Sequence, residues 1–313
     1  MNKRILVVSS ANLDFVQRMR RMPNAGETVM ETDPQFGYSY VPGGKGANSA
    51  VAFARLGDDC VFCTRLGADN NGNRLKAIYQ REGIDVRFAV QDKTVPTGLA
   101  SIFVEEDGTN RIVVYPGANE KTDVSDIEEA FTCYPDAVYL QFEIPEKAVL
   151  AAADFAHQKK IPLFVDAGPA RADFPLDKLG HMEVFSPNEN EARIYTGIEP
   201  TGGESALRCA IKLSTMVDAR YIVIKMGSRG AYIYDGKYYH IAPAIPVTVA
   251  DTTAAGDTFT AALTHFYMEG KSIEEAAHLA NCAAAIGVSR PGAYPSIPRL
   301  AEVMAFAEAH PAK

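Results

Sequence analysis

The sequence predicts an α/β fold: a central, mainly parallel sheet flanked by helices, with a small β-sheet built from two separated segments. Three observations predict it. From about residue 120 onward, short apolar runs alternate with helical patterns, and apolar strands of that kind are buried on both faces by helices. A hairpin pattern over 231–241 breaks the alternation before a helix-rich end from about 255. Two turn-rich stretches, 13–42 and 95–116, carry short β patterns.

In chain order, the first strand is the apolar run from about Lys3 to Ser9. The polar stretch after it, with Pro23, Gly26, Pro34 and Gly37, holds two strand patterns, ETVMET at 27–32 and YSYV at 38–41. Beyond Gly43-Gly44-Lys45-Gly46, residues Ala47, Ala50, Val51, Ala54 and Leu56 recur near helical spacing, and Gly57 marks a stop. A strand near Val61 and a helix over Asn73–Arg81 follow, the helix ended by Gly83. Segments 86–91, 97–104 and 111–115 read as strands, with the hairpin signal Glu105-Glu106-Asp107-Gly108 between the last two. Further strands are expected at 137–140, 162–166, 183–186 and 221–225, and helices at 145–159, 188–195 and 204–217. The large α/β domain then comprises 1–12, 43–94 and 117–313, and the appendage 13–42 and 95–116. An appendage inserted twice from one domain suits a lid that excludes water from a reaction site. It suits an oligomerisation arm as well, and the two are compatible.

Composition narrows the function. The chain has 313 residues, 47% of them hydrophobic, enough for two domains or one large domain with an appendage at roughly 150 residues per domain. With 31 basic and 39 acidic residues the net charge is −8, which argues against general nucleic-acid binding, since phosphate backbones need clustered Lys and Arg. No apolar run reaches the ~18 residues of a membrane span. The run Ile5–Val8 is shorter than a signal-peptide core of about 7–15 residues. A cytoplasmic location is expected, and five cysteines without regular spacing fit a reducing compartment. Cys60 and Cys63 form a C-x-x-C, but in a strand such positions point to opposite faces; they read as structural.

Four motifs carry candidate chemistry. Asp251-Thr252-Thr253-Ala254-Ala255-Gly256-Asp257 opens a helical segment. Small residues there let a ligand approach free backbone N–H groups at the positive end of the helix dipole. Asp257 in the first turn either complements that dipole or accepts a proton from a substrate hydroxyl. Pro42-Gly43-Gly44-Lys45-Gly46-Ala47-Asn48 is a Gly-rich loop entering a helix. It is no dinucleotide fingerprint, because Ser49 stands at the third glycine position. Gly230 to Gly236-Lys237 is one residue too long for a P-loop and continues with Tyr238. Asn188 and Glu191 lie three apart after Pro187; they suit phosphate and hydrated Mg²⁺, or equally a capping box. Lys225-Met226-Gly227-Ser228-Arg229-Gly230 follows a strand and reads as a nucleotide turn or a plain tight turn.

Together and in this order, PGGKGAN at 42–48 and DTTAAGDTF at 251–259 resemble the ribokinase-like family of ATP-dependent sugar kinases, over nearly the whole chain. The resemblance implies a three-layer sandwich with a β-sheet lid that also forms a dimer interface. It makes Asp257 the base that deprotonates a terminal sugar hydroxyl, and Ala254, Ala255 and Gly256 the anion hole. Asn12, Asp14, Gly43, Gly44, Lys45, Asn48 and Glu143 become sugar contacts. Asn188, Lys225, Gly227, Gly230, Gly256 and Asn281 serve ATP. Glu191 holds Mg²⁺, through water, and Asp251, Thr253, Gly292 and Ser296 hold K⁺. The Lys-bearing GGKGAN form points to D-ribose, converted to ribose 5-phosphate, as substrate. Other acceptors are 2-deoxyribose, fructose or adenosine; a non-catalytic sensor on the same fold would have no need of Asp257. Two positions depart from the family pattern: Thr260 where Asn is common, which leaves room for another sugar preference, and Lys225 where Thr is common, which turns a hydroxyl contact to phosphate into an ammonium.

Overall fold

Alternate residues of the apolar strands belong to two different cores, and this makes a three-layer molecule. The structure is a computed structural model and describes residues 2–312. In the first strand Ile5 and Val7 face one core, Leu6 and Val8 the other. Cys60 and Cys63 divide in the same way, as the period of two requires.

The main sheet is built from β1 (Arg4–Val8), β4 (Asp59–Gly67), β5 (Ala89–Asp92), β8 (Ala137–Leu140), β9 (Leu163–Asp166), β10 (His181–Ser186), β11 (Asp218–Lys225), β12 (Ala231–Tyr234) and β13 (Tyr239–Ala242). Its order is β13-β12-β11-β10-β9-β8-β1-β4-β5. From β5 to β11 all neighbours are parallel; β12 and β13 add antiparallel. A second sheet contains β2 (Asn12–Met19), β3 (Gly37–Gly43), β6 (Gly98–Glu105) and β7 (Asn110–Tyr115), in the order β3-β2-β6-β7.

On one face of the main sheet pack α1 (Lys45–Leu56), α2 (Asn70–Arg81), α7 (Ala255–Met268), α8 (Ile273–Val288) and α10 (Leu300–Ala309), through residues such as Phe53, Leu75, Leu263, Ala280 and Val303. On the other lie α3 (Val124–Ala130), α4 (Glu146–Lys159), α5 (Glu189–Thr196) and α6 (Gly203–Ser214), through Ile127, Val149, Ala192 and Ala210. A short helix, α9 (Ala293–Ser296), precedes α10. Among the described residues no helix is long and apolar enough to cross a membrane.

Several expectations need correction. The ETVMET pattern is not a strand: residues 27–32 have no regular structure. Val29 and Met30 are exposed, so that alternation has no apolar face to bury. The partner of β3 is instead β2. The strand expected from 86 begins at Ala89, and α6 ends at Ser214, three residues before 217. Helix α3 had no counterpart in the sequence reading; it is held at its start by a reciprocal cap between Asp123 and Asp126.

Candidate active site

In an open parallel sheet, ligands bind beyond the carboxyl ends of the strands, where successive connections diverge. Here β1 is flanked by β4 on one side and β8 on the other. The carboxyl ends of five neighbouring strands carry polar residues: Ser9 after β1, Gln141 after β8, Asp166 on β9, Ser186 on β10 and Lys225 on β11. Ser9, Gln141, Asp166 and Ser186 are at most 2% exposed, so each must bond to something inside. Ser9 Oγ donates to Gln141 Oε1 at 3.0 Å. Gln141 Nε2 donates to Asp166 Oδ2 at 3.1 Å and to Asp257 Oδ1 at 3.4 Å.

Two helices open onto this row. At the start of α1, Gly44 has φ +89°, and a Cβ there would lie 2.9 Å from Asn12 N. A Cβ on Gly46 would overlap Ser9. The glycines of this loop therefore let α1 sit against the end of β1, and bring Asn48 to the site. At the start of α7, Ala254 adopts the left-handed conformation, φ +63°, with no side-chain cap. The first-turn N–H groups of a helix have no partner within it. Asp257 is the third residue of that turn and is buried. Asn48 Nδ2 donates to its Oδ2 at 2.8 Å, and Lys45 Nζ stands 3.8 Å from its Oδ1. Burial pushes the proton affinity of Asp257 up, and the Lys45 and Lys225 charges oppose that. Lys45 is held well above the usual ammonium range, chiefly by Asp257.

The other proposed sugar contacts gather beside this pair. Asn12 and Asp14 on β2 and Gly43 on β3 lie at the same end of the second sheet, where Asn12 pairs with Gly43. Glu143 accepts from Ser10 Oγ and from Lys45 N, the latter at 3.0 Å. Burial, with the nearby Glu143 charge, pushes the Asp14 carboxyl up to about 7.

On the other side of α7 a cavity of about 540 Å³ runs between α7 and α8, lined by Ile245, Phe259, Asn281, Ala284 and Val288 among others. It is of ordinary size for a small-molecule site and mainly apolar. A second, more polar cavity, about 710 Å³, contains Asn188, Arg193 and Arg229. Lys225, Gly227, Thr252 and Gly256 line both, and Gly230 lines the first. Asn188 and Glu191 form a reciprocal cap: Glu191 N donates to Asn188 Oδ1 at 2.8 Å and Asn188 N to Glu191 Oε2 at 2.7 Å. The second oxygen of Glu191 faces Gly168. Burial pushes the Glu191 carboxyl up, against the Lys225 charge.

Asp251, Thr253 and Gly292 meet in a separate cluster. Asp251 Oδ1 accepts from Thr253 N at 2.9 Å and from its hydroxyl at 2.6 Å; Oδ2 accepts from Gly292 N at 3.0 Å. Burial acts to raise the Asp251 carboxyl, but these hydrogen bonds outweigh it and hold it below the usual range. Ser296, at the end of α9, is buried and donates to Ala293 O at 2.7 Å.

Sequence reasoning missed Gln141, Asp166, Ser10 and Asn119. Asn119 donates to Asn12 Oδ1 at 2.8 Å and accepts from Ala11 N at 2.9 Å, fixing the start of β2. For Gln141 and Asp166 a signal was present: each is the polar residue that ends a short apolar strand, in AVYLQ and LFVD. Nothing local marks Asn119 for the site: beside its bond to Pro116 O three residues back, its bonds to Ala11 and Asn12 span more than 100 residues of chain.

The chain is 33% identical over 312 residues to the ribokinase of Haemophilus influenzae, covering 98% of this chain and 99% of that one. It is 29% identical over 310 residues to the deoxyribokinase of Salmonella typhi, covering 97% and 99%. The structure of Arabidopsis thaliana ribokinase complexed with ribose and ATP superimposes with a TM-score of 0.87 at 30% identity, covering 98% and 99% of the two chains. Residues 2–300 match the family described as pfkB family carbohydrate kinase. With that match over residues 2–300 and 33% identity to a ribokinase over nearly the full length of both chains, this chain belongs to the pfkB family of carbohydrate kinases.

Proposed function

We propose that the protein transfers the terminal phosphoryl group of ATP to the 5-hydroxyl of D-ribose, giving ribose 5-phosphate. One observation carries this reading: Asp257, held by Asn48 and Gln141, stands beside the free N–H groups of the first turn of α7. The full-length similarity to ribokinases, including the one complexed with ribose and ATP, supports the choice of substrates.

Asp257 accepts the proton that the sugar hydroxyl gives up as its oxygen bonds to phosphorus. The Asn48 and Gln141 amides fix the carboxylate so that one oxygen faces the acceptor. The N–H groups at Gly256 and Asp257, with the Ala254 bend that exposes them, stabilise charge on the group in transfer; Ala255 N already donates to Thr252 O at 3.2 Å. Asn12, Asp14, Glu143 and the loop from Gly43 to Asn48 bind the sugar hydroxyls. The apolar cavity with Asn281 takes the base of the nucleotide, and the seam at Gly227 and Gly256 takes its phosphates. Bound ATP supplies the phosphoryl group, and Mg²⁺ neutralises its charge. Glu191 would hold a hydrated Mg²⁺ through water, with the carboxylate oxygen that its cap leaves unused. K⁺ would be held by Asp251, Thr253, Gly292 and Ser296, from the loop before α7 and the turn around α9.

The second sheet is proposed as a lid over the sugar and as the contact between two copies of the chain. Exposed Tyr38, Ile112, Val114 and Tyr115 on its edge strands support this, because such apolar patches mark association surfaces. Buried free cysteines support a cytoplasmic location.

The test is ADP release with Mg-ATP and K⁺ across ribose, 2-deoxyribose, fructose, adenosine and uridine. Preference for ribose is expected. The deoxyribokinase relative favours 2-deoxyribose as a second acceptor. A site built around a hydroxyl discriminates against its absence by ~10⁴-fold, so preference for 2-deoxyribose would overturn the ribose assignment while keeping Asp257. Silence on all five would favour the sensor.

A further inference from the structure

The two departures from the family pattern, Lys225 and Thr260, touch each other. Lys225 is on β11 and Thr260 on α7, yet Lys225 Nζ donates to Thr260 Oγ1 at 3.1 Å. It also donates to Asp166 Oδ1. Thr260 Oγ1 in turn donates to Gly256 O at 3.1 Å, in the first turn of α7. Asp166 is 2% exposed and Lys225 9%. A buried ion pair of this kind is weak evidence for stability, because desolvation offsets its attraction. Its position suggests another use.

An ammonium has three N–H donors. Two are taken by Asp166 and Thr260, and among the described residues the third has no acceptor. The ammonium stands 3.8 Å from where a Cβ on Gly256 would be, at the seam shared by the apolar and the polar cavities. The unused donor and the charge therefore lie next to the uncapped N–H groups of α7.

We propose that Lys225, aimed by Asp166 and Thr260, donates to the phosphates of the nucleotide and makes the site prefer a nucleotide to the bare nucleoside. The proposal rests on the nucleotide reading given above. Lys225 is the phosphate contact; Asp166 and Thr260 are positioning residues. Asp166 also reaches Asp257 through Gln141, so the residue that aims the ammonium shares a bonded path with the base.

The test is equilibrium binding of ATP, with Mg²⁺, and of adenosine by calorimetry, together with KM and kcat for ATP. Lys225→Met is expected to weaken ATP about 10-fold or more, as loss of a charge-assisted contact does, and to leave adenosine within about 2-fold. Because K225M leaves Asp166 buried without its partner, the double variant K225M/D166N is measured too; it is expected to fold and to show the same ATP-selective loss. T260V is expected to raise KM for ATP, and T260S to restore most of that loss. Equal weakening of ATP and adenosine, no weakening of either, or T260S behaving as T260V would overturn the proposal. A native protein that binds ATP while K225M/D166N binds it equally well overturns this inference alone. A native protein that binds neither ATP nor adenosine overturns the nucleotide reading as well.

Discussion

Helices α7 and α8 pack against each other in the same layer, yet they begin in opposite ways. At α8, Ser272 Oγ accepts from Glu275 N at 3.2 Å and Glu275 Oε2 accepts from Ser272 N at 3.1 Å. At α7, Ala254 is bent into the left-handed region and no side chain caps the turn. A side-chain cap is worth about 1 kcal/mol, and an alanine in the left-handed region costs roughly 1–2 kcal/mol. The start of α7 thus lacks one stabilising device and carries a strained residue. What it keeps, among the described residues, is free N–H groups at Gly256, which lines both cavities, and at Asp257. A capped start closes a helix, whereas an uncapped start leaves its dipole available to a ligand. Helix α5 stands between the two: Asn188 and Glu191 cap it, and one Glu191 oxygen is left for the site.

The contrast is open to attack. Asp257→Asn should lower kcat by ~10²-fold or more; because it also leaves Lys45 without its counter-charge and one of the Asn48 and Gln141 amides without an acceptor, the melting temperature is measured alongside and should fall while the variant stays folded. Near-normal turnover would remove Asp257 from the mechanism and reduce the bare start of α7 to a structural accident.

Next in size is a pH effect on the sugar side. Burial, with the Glu143 charge beside it, pushes the Asp14 carboxyl from its ordinary value near 3.8 up to about 7. The folded state therefore holds this proton between about 4 and 7, and that contribution to stability is lost as pH rises through the window. Sugar hydroxyls donate to the ionised carboxylate, so KM for the sugar should fall several-fold from pH 6 to pH 8 and level off above. Asp14→Asn should raise KM and flatten the profile. An unchanged slope in that variant would assign the titration to another group.

A smaller effect is expected from the loop around Asp251. If Asp251 and its partners hold K⁺, the ion should raise activity over Na⁺ or a bulky organic cation at equal ionic strength. A flat response would leave Asp251 with the single task of bracing the loop through Thr253 and Gly292.

Ser272→Ala sharpens the comparison from the other helix. It should cost about 1 kcal/mol of stability in a denaturant titration and leave kcat unchanged. A loss of activity at native stability would show that the two helix starts are coupled.

Much of this was legible in the residues. Apolar runs set the strands because burial on both faces needs no alternation. Gly43, Gly44 and Gly46, and Ala254, Ala255 and Gly256, marked both bare helix starts, since only small residues permit close backbone approach. The ETVMET pattern misled because alternation alone does not supply a face to bury.

The sequence by itself determined the layers, the helix starts and the residue types around them. Only the tertiary structure decided that Gln141 would join Asp166 to Asp257, that Asn119 would anchor Asn12, and that Lys225 would meet Thr260. Those contacts link residues 25 to 116 positions apart. A polar side chain at the end of one strand has no partner within its own segment; the sheet order chooses that partner, and burial makes the bond obligatory.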